Sequence, residues 1–229
     1  MGDEIKFYKK DRPVVKIRKI ITYIFLLIFL FSSLYSLIMY FITPEGSADN
    51  LKNSYFTLFL QCASGFILIL LPLKIKSKYK MEFGEKTLIL YFIFIFMAIF
   101  LANFMKFYVK YECWDGILHF ISGIVLTLFG FILARYFLGK GYSEVSPFFI
   151  GLFALSFAMF CGVVWEIYEY IGDGLTGSNM QKYMSYGGEI KIGRDALVDT
   201  MSDIILEFIS SLFTSLFGYR KIKGIHKKD

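Results

Sequence analysis

The sequence predicts an all-α, polytopic membrane protein: a bundle of six transmembrane helices with both termini cytoplasmic. Three observations carry this prediction. The 229 residues are 56% hydrophobic and 20% aromatic and include only four prolines, which is far too apolar for an ordinary soluble domain. Six segments approach the roughly 20 residues that cross a bilayer: Ile20–Ile42, Ser54–Leu73, Lys86–Phe107, Trp114–Leu138, Pro147–Ile171 and Asp195–Phe217. Lys and Arg divide 19 to 6 between alternate sides of these segments, and the richer side is the cytoplasmic one. The net charge of +6 is therefore a topology signal. Nothing else points to nucleic acid, and the lipid bilayer is the partner that the composition demands.

In chain order, residues 1–19 form a basic cytoplasmic amino terminus, 20–217 a single integral domain and 218–229 a basic cytoplasmic tail. The first apolar run is too long for a cleaved leader and lacks a small-residue cleavage site, so it reads as a retained anchor. In the second span Gln61 and Ser64 are placed to hydrogen-bond a neighbouring helix. The third is apolar until Asn103 and Lys106, a lysine that either snorkels to the interface or neutralises nearby acids. Cys62, Cys113 and Cys161 have spacings of neither a disulfide framework nor a zinc site. His226, in the basic tail, reads as solvated.

The second half carries the chemistry. The fourth span opens with Asp115 and His119, one turn apart on a shared face, where a carboxylate can orient the imidazole. The fifth ends with Glu166 and Glu169 on neighbouring turns. Trp114 and Trp165 beside these acids read as anchors of the interfacial aromatic belt. An external loop, Gly172–Arg194, holds six glycines and is either a lid or recognition loop or a plain connection. The sixth span then places Asp195, Asp199, Asp203 and Glu207 at every fourth position, so that their carboxylates stack one turn apart. At about 1.5 Å per residue, His119, Glu166, Asp199 and Asp203 share the outer half of the bundle, at the level of Gln61 and Asn103. Glu207 lies deeper, rotated away, and is set apart from this group.

A carboxylate inside a membrane must face protein or water. Here Asp115, Glu166, Glu169, Asp173, Asp195, Asp199 and Asp203 stand against His119, Arg194 and Lys106. So many acids cannot all stay ionised in a low-dielectric layer; they bind protons, pair with a base or hold a cation. A divalent metal on His119, Glu166, Asp199 and Asp203 suits this hard, oxygen-rich set. Asp115, His119, Glu166, Asp199 and Asp203 are then the catalytic residues of a metal-assisted hydrolase or transferase, with Arg194 and Glu169 binding a lipid-linked or envelope substrate. A proton-coupled transporter built on a carboxylate and His relay is the second reading. A structural, hydrogen-bonded polar plug is the third. Asp199, flanked by Asp195 and Asp203, is the acid expected to matter most.

The run of Asp115-x-x-x-His119, a helix with Glu166, and Arg194 leading into Asp199-x-x-x-Asp203 resembles the VanZ-like membrane proteins. The Trp165-Glu166-x-x-Glu169 version is similar to the uncharacterised YjdF-like branch of that group. The resemblance covers about the last four spans and implies a small polytopic protein of the bacterial cell membrane. One protein of this kind is linked to teicoplanin resistance, and none has an established reaction. The chain departs from the pattern after Asp203: Ile204, Ile205 and Glu207 stand where small residues are expected, which puts close packing of that helix in doubt.

Overall fold

The computed structural model describes residues 12–46, 51–185 and 188–226. Lys6, Lys9, Lys10, Lys227 and Lys228 from the charge tally, Gly187 of the loop and the side chain of His226 lie outside the described residues. Regular structure among the described residues is helical, apart from one isolated antiparallel bridge between Met184 and Ile190. The long helices are α1 (Arg12–Ile42), α2 (Leu51–Tyr79), α3 (Glu85–Ile95) continued by a π-helix (Phe96–Phe104), α5 (Trp114–Leu138), α6 (Pro147–Thr176) and α7 (Val198–His226). A single turn, α4 (Phe107–Lys110), and two 3-10 segments, Gly139–Ser143 and Gly193–Leu197, complete the order.

Five stretches among the described residues are long and apolar enough to cross a membrane: Arg12–Ile42, Leu51–Tyr79, Glu85–Phe104, Trp114–Ser143 and Pro147–Thr176. The sixth expected span differs from its sequence outline. Its helix starts at Val198 rather than Asp195, and its polar residues keep it outside those five. Asp195 falls in the preceding 3-10 turn, so the regular stacking of acids begins only at Asp199. The third span also stops earlier than expected, at Phe104, because Lys106 takes a left-handed φ of 59°.

The chain forms two compact units, Met1–Glu112 and Cys113–Asp229. In the first, the wide turn of the π-helix brings residues four apart nearly into line. Phe96, Phe100 and Phe104 therefore stack with ring centroids 5.1 and 5.2 Å apart, and Phe25 of α1 lies on Phe96 at 4.4 Å. Gln61 donates to the Asn103 side chain at 3.3 Å, the neighbouring-helix bond expected of an intramembrane glutamine. At the other end of these helices Glu85 accepts from both Arg18 and Lys76, joining α1, α2 and α3.

The second unit is built from α5, α6 and α7, and α7 is arranged inside out. Asp203, Glu207, Ser210, Ser211 and Ser215 are buried, while Ile205, Phe208, Ile209, Phe213 and Phe217 are exposed. That is the arrangement expected of a helix in lipid, where polar groups must find protein partners and apolar ones need none. Close approach is supplied by the facing helices. A side chain at Gly123 of α5 would collide with the Ser210 and Ser211 hydroxyls and the Glu207 carbonyl, and one at Gly162 of α6 with the Glu207 carboxyl. Ser211 donates to the Gly123 carbonyl at 3.2 Å and Ser215 to that of Gly151 at 2.7 Å. The packing that Ile204, Ile205 and Glu207 put in doubt is achieved by glycines on α5 and α6 that face Glu207 and the serines Ser210, Ser211 and Ser215 of α7.

Candidate functional site

His119, buried in the second turn of α5, has acids near both of its ring nitrogens. Asp115 Oδ1 lies 3.9 Å from Nε2, Glu166 Oε1 lies 3.7 Å from Nε2, and Glu207 Oε2 lies 3.7 Å from Nδ1. These separations are too long for direct hydrogen bonds. Glu166 is 6% exposed, Asp203 3% and Glu207 2%. Both carboxylate oxygens of Glu166, and one each of Asp199, Asp203 and Glu207, are buried without a hydrogen-bond partner. A buried acceptor left unpaired is costly, so this arrangement is suited to a guest that carries positive charge or protons. One ligand atom from each of Asp115, His119 and Asp203 lies within 4.8 Å of the others, a spacing that one metal ion can satisfy.

The loop after α6 supplies the counter-charge. Lys182 Nζ donates to Asp115 Oδ2 at 2.7 Å and to Asp199 Oδ1 at 2.8 Å. Burial opposes its charge, but the Asp115 and Asp199 carboxylates outweigh that and hold the ammonium above the ordinary lysine range. Its backbone takes a left-handed φ of 46°, sparsely populated for a residue with a side chain. The loop is tied down locally to reach this geometry. Asp173, on the last turn of α6, accepts from Ser178 Oγ and Met180 N, each at 2.7 Å, and from Gln181 N at 3.0 Å. Asn179 bonds both backbone groups of Met184. Gln181 Nε2 reaches Thr200 Oγ1 at 3.0 Å on α7. A cleft of about 690 Å³ lies between the end of α6, this loop and the start of α7, with Ile171, Leu175, Leu197, Gln181 and Thr200 in its walls.

Asp115, His119, Glu166, Asp199 and Asp203 are thus gathered in one place. Glu169 is buried, but one of its oxygens accepts from Trp165 Nε1 at 2.9 Å. Trp165 is therefore tied to an acid as well as half-exposed in the manner of a belt residue. Arg194 and Asp195 are exposed in the 3-10 turn, away from the centre, and Arg194 makes no ion pair among the described residues. The lysine or arginine that pairs with these acids among the described residues is Lys182. Glu207 also corrects the sequence outline. Over the eight residues from Asp199 a helix turns only about 80° out of register, and the long glutamate side chain spans that offset through the space left by Gly162. Depth and rotation along the sequence set Glu207 apart; its fourfold spacing from Asp199 and Asp203 was the signal that could have included it. For Lys182 the available signal was a lysine in a glycine-rich loop between two acidic helices.

Comparison with known proteins gives the chain its setting. Residues 20–224 match the family described as "Predicted membrane protein (DUF2238)". An uncharacterized protein of Thermotoga maritima is 31% identical over 145 residues, which is 62% of this chain and 67% of that relative. No solved structure matches the chain. The family match takes in both compact units and every residue gathered around His119, and the chain belongs to the DUF2238 family of predicted membrane proteins.

Proposed function

We propose that this is a cell-membrane protein whose second unit holds one divalent cation on Asp115, His119 and Asp203, and uses it in hydrolysis or group transfer on a lipid-linked substrate. The observation that carries the reading is the coincidence of three convergent ligand atoms with buried carboxylate oxygens that lack partners. A hard ion with oxygen preference, such as Mg²⁺ or Mn²⁺, suits two carboxylates and one imidazole. Bound there, it supplies a Lewis acid for a carbonyl or phosphoryl oxygen. Glu166, with both oxygens unengaged beside His119, is the group to take a proton from an attacking water. The cleft beside Gln181 and Thr200, walled by Ile171, Leu175 and Leu197, suits the apolar part of such a substrate.

In this reading α7 is the sixth crossing and both termini are cytoplasmic. Support comes from its polar face being buried and its apolar face exposed, and from the distribution of Lys and Arg. Kinship with VanZ-like and YjdF-like proteins rests on the sequence motif of Asp115, His119, Glu166, Asp199 and Asp203 alone; the exposed Arg194 does not add to it. Elemental analysis of purified wild type and His119→Ala tests the metal. Near-stoichiometric divalent ion in the wild type, lost in the variant, is the expected result. A second reading, proton-coupled transport, rests on His119 lying 3.7 Å from carboxylates at both nitrogens, Glu166 and Glu207. Proton-driven uptake by a protein without bound metal would favour it.

A further inference from the structure

Asp115 faces two ways. Its Oδ1 lies 3.9 Å from His119 Nε2, the ring that groups with Asp115 and Asp203, while its Oδ2 accepts from Lys182. On the far side of that ammonium stands Asp199, with one oxygen bonded to Lys182 and the other buried without a partner. A carboxylate shared between adjacent positive centres is the arrangement of two-metal sites, whose ions sit about 3.5–4 Å apart. Here one of the two positions is filled by the chain itself. We propose that the centre contains a second cation subsite, between Asp115 and Asp199, permanently occupied by the Lys182 ammonium. The lysine thereby limits the protein to a single divalent ion and positions Asp115 to ligate it. The inference rests on the metal reading above.

Several features argue that Lys182 is fitted to this position. It comes from a loop, yet it contacts carboxylates on two different helices, at 2.7 and 2.8 Å. Its backbone is held in a left-handed conformation to do so. The residues on either side are anchored as well, Gln181 through its backbone to Asp173 and through its amide to Thr200, and Met184 to Asn179. Lysine also differs from a metal ion in what it demands. A compact ammonium offers three donors and imposes little coordination geometry. With it removed, Asp115 Oδ2 and both oxygens of Asp199 become available to a hard cation, and the partly exposed position of the Lys182 side chain leaves room for water as further ligand.

The test is the stoichiometry of Mn²⁺ binding to the full chain in detergent, measured by calorimetry and elemental analysis. Wild type and Lys182→Arg should each take up one ion. Lys182→Met, which keeps the stem and removes the charge, should take up two. One ion in wild type and one in a folded Lys182→Met overturns the inference but leaves the metal reading standing; no ion in wild type overturns both. A measurement that needs no variant guards against misfolding of Lys182→Met. Labelling of wild-type Lys182 by an amine-acylating reagent, read by peptide mass spectrometry, should stay low with and without saturating Mn²⁺. Labelling that rises as Mn²⁺ is added means that the ion displaces the lysine, and the inference fails.

Discussion

At His119 the imidazole is surrounded by carboxylates and yet hydrogen-bonds none of them. The proposed binding centre uses that spacing, whereas charge-assisted hydrogen bonds in a polar plug would close to about 2.7–2.9 Å. Single substitutions can separate the roles. Asp203→Asn keeps the shape but removes a ligand charge. It should abolish the rise in melting temperature that divalent ions give the wild type, a stabilisation of about 2.7 kcal/mol at a hundredfold excess over Kd. Asp199→Asn, whose engaged oxygen faces Lys182, should keep most of that rise while losing activity; full activity in this variant would remove Asp199 from the machinery. The sequence made Asp199 the foremost acid because it lies midway between Asp195 and Asp203. That symmetry disappears in the fold, since Asp195 sits in a 3-10 turn and the helix register begins beyond it.

Among the elements, α7 explains most of what was legible and most of what was not. The recurrence of acids at every fourth residue is enough to predict one polar face, and Asp199, Asp203 and Glu207 do share it. The sequence alone left open how so bulky a helix packs closely, because the answer lies on its neighbours at Gly123 and Gly162. Gly162→Ala should therefore destabilise the second unit by about 1–3 kcal/mol, the usual range for overpacking, read as a lower melting temperature in detergent. Ser211→Ala removes a single interhelical bond and should cost only about 0.6 kcal/mol, typical of such bonds in membranes. Equal effects from the two substitutions would contradict this packing. The loop is the complementary case. Its glycines suggested flexibility, but the three bonds to Asp173 that organise it depend on which backbone groups turn inward, and residue spacing does not reveal that. Asp173→Ala should increase proteolysis between Gly177 and Gly193 with little change in α5 and α6.

For the whole molecule, composition and charge determined the class, and the helices follow it. The five helices long and apolar enough to cross a membrane overlap their sequence outlines, several of them extending beyond the apolar stretch at one or both ends. The division at Glu112–Cys113 coincides with the onset of the intramembrane acids at Asp115, but no linker marks it as a boundary. Reporter fusions test the proposed topology. An alkaline phosphatase fused after Lys221 should be inactive and one fused near Gly188 active; activity at Lys221 would contradict six crossings with both ends inside.

The most direct measurement is electron paramagnetic resonance of the protein loaded with Mn²⁺, observing the hyperfine coupling of ligand nitrogen. An ion held by Asp115, His119 and Asp203 should show one coupled imidazole nitrogen in the wild type, unchanged in His226→Ala and absent in His119→Ala. A Mn²⁺ signal without nitrogen coupling, or with coupling that survives His119→Ala, would contradict a centre built on His119.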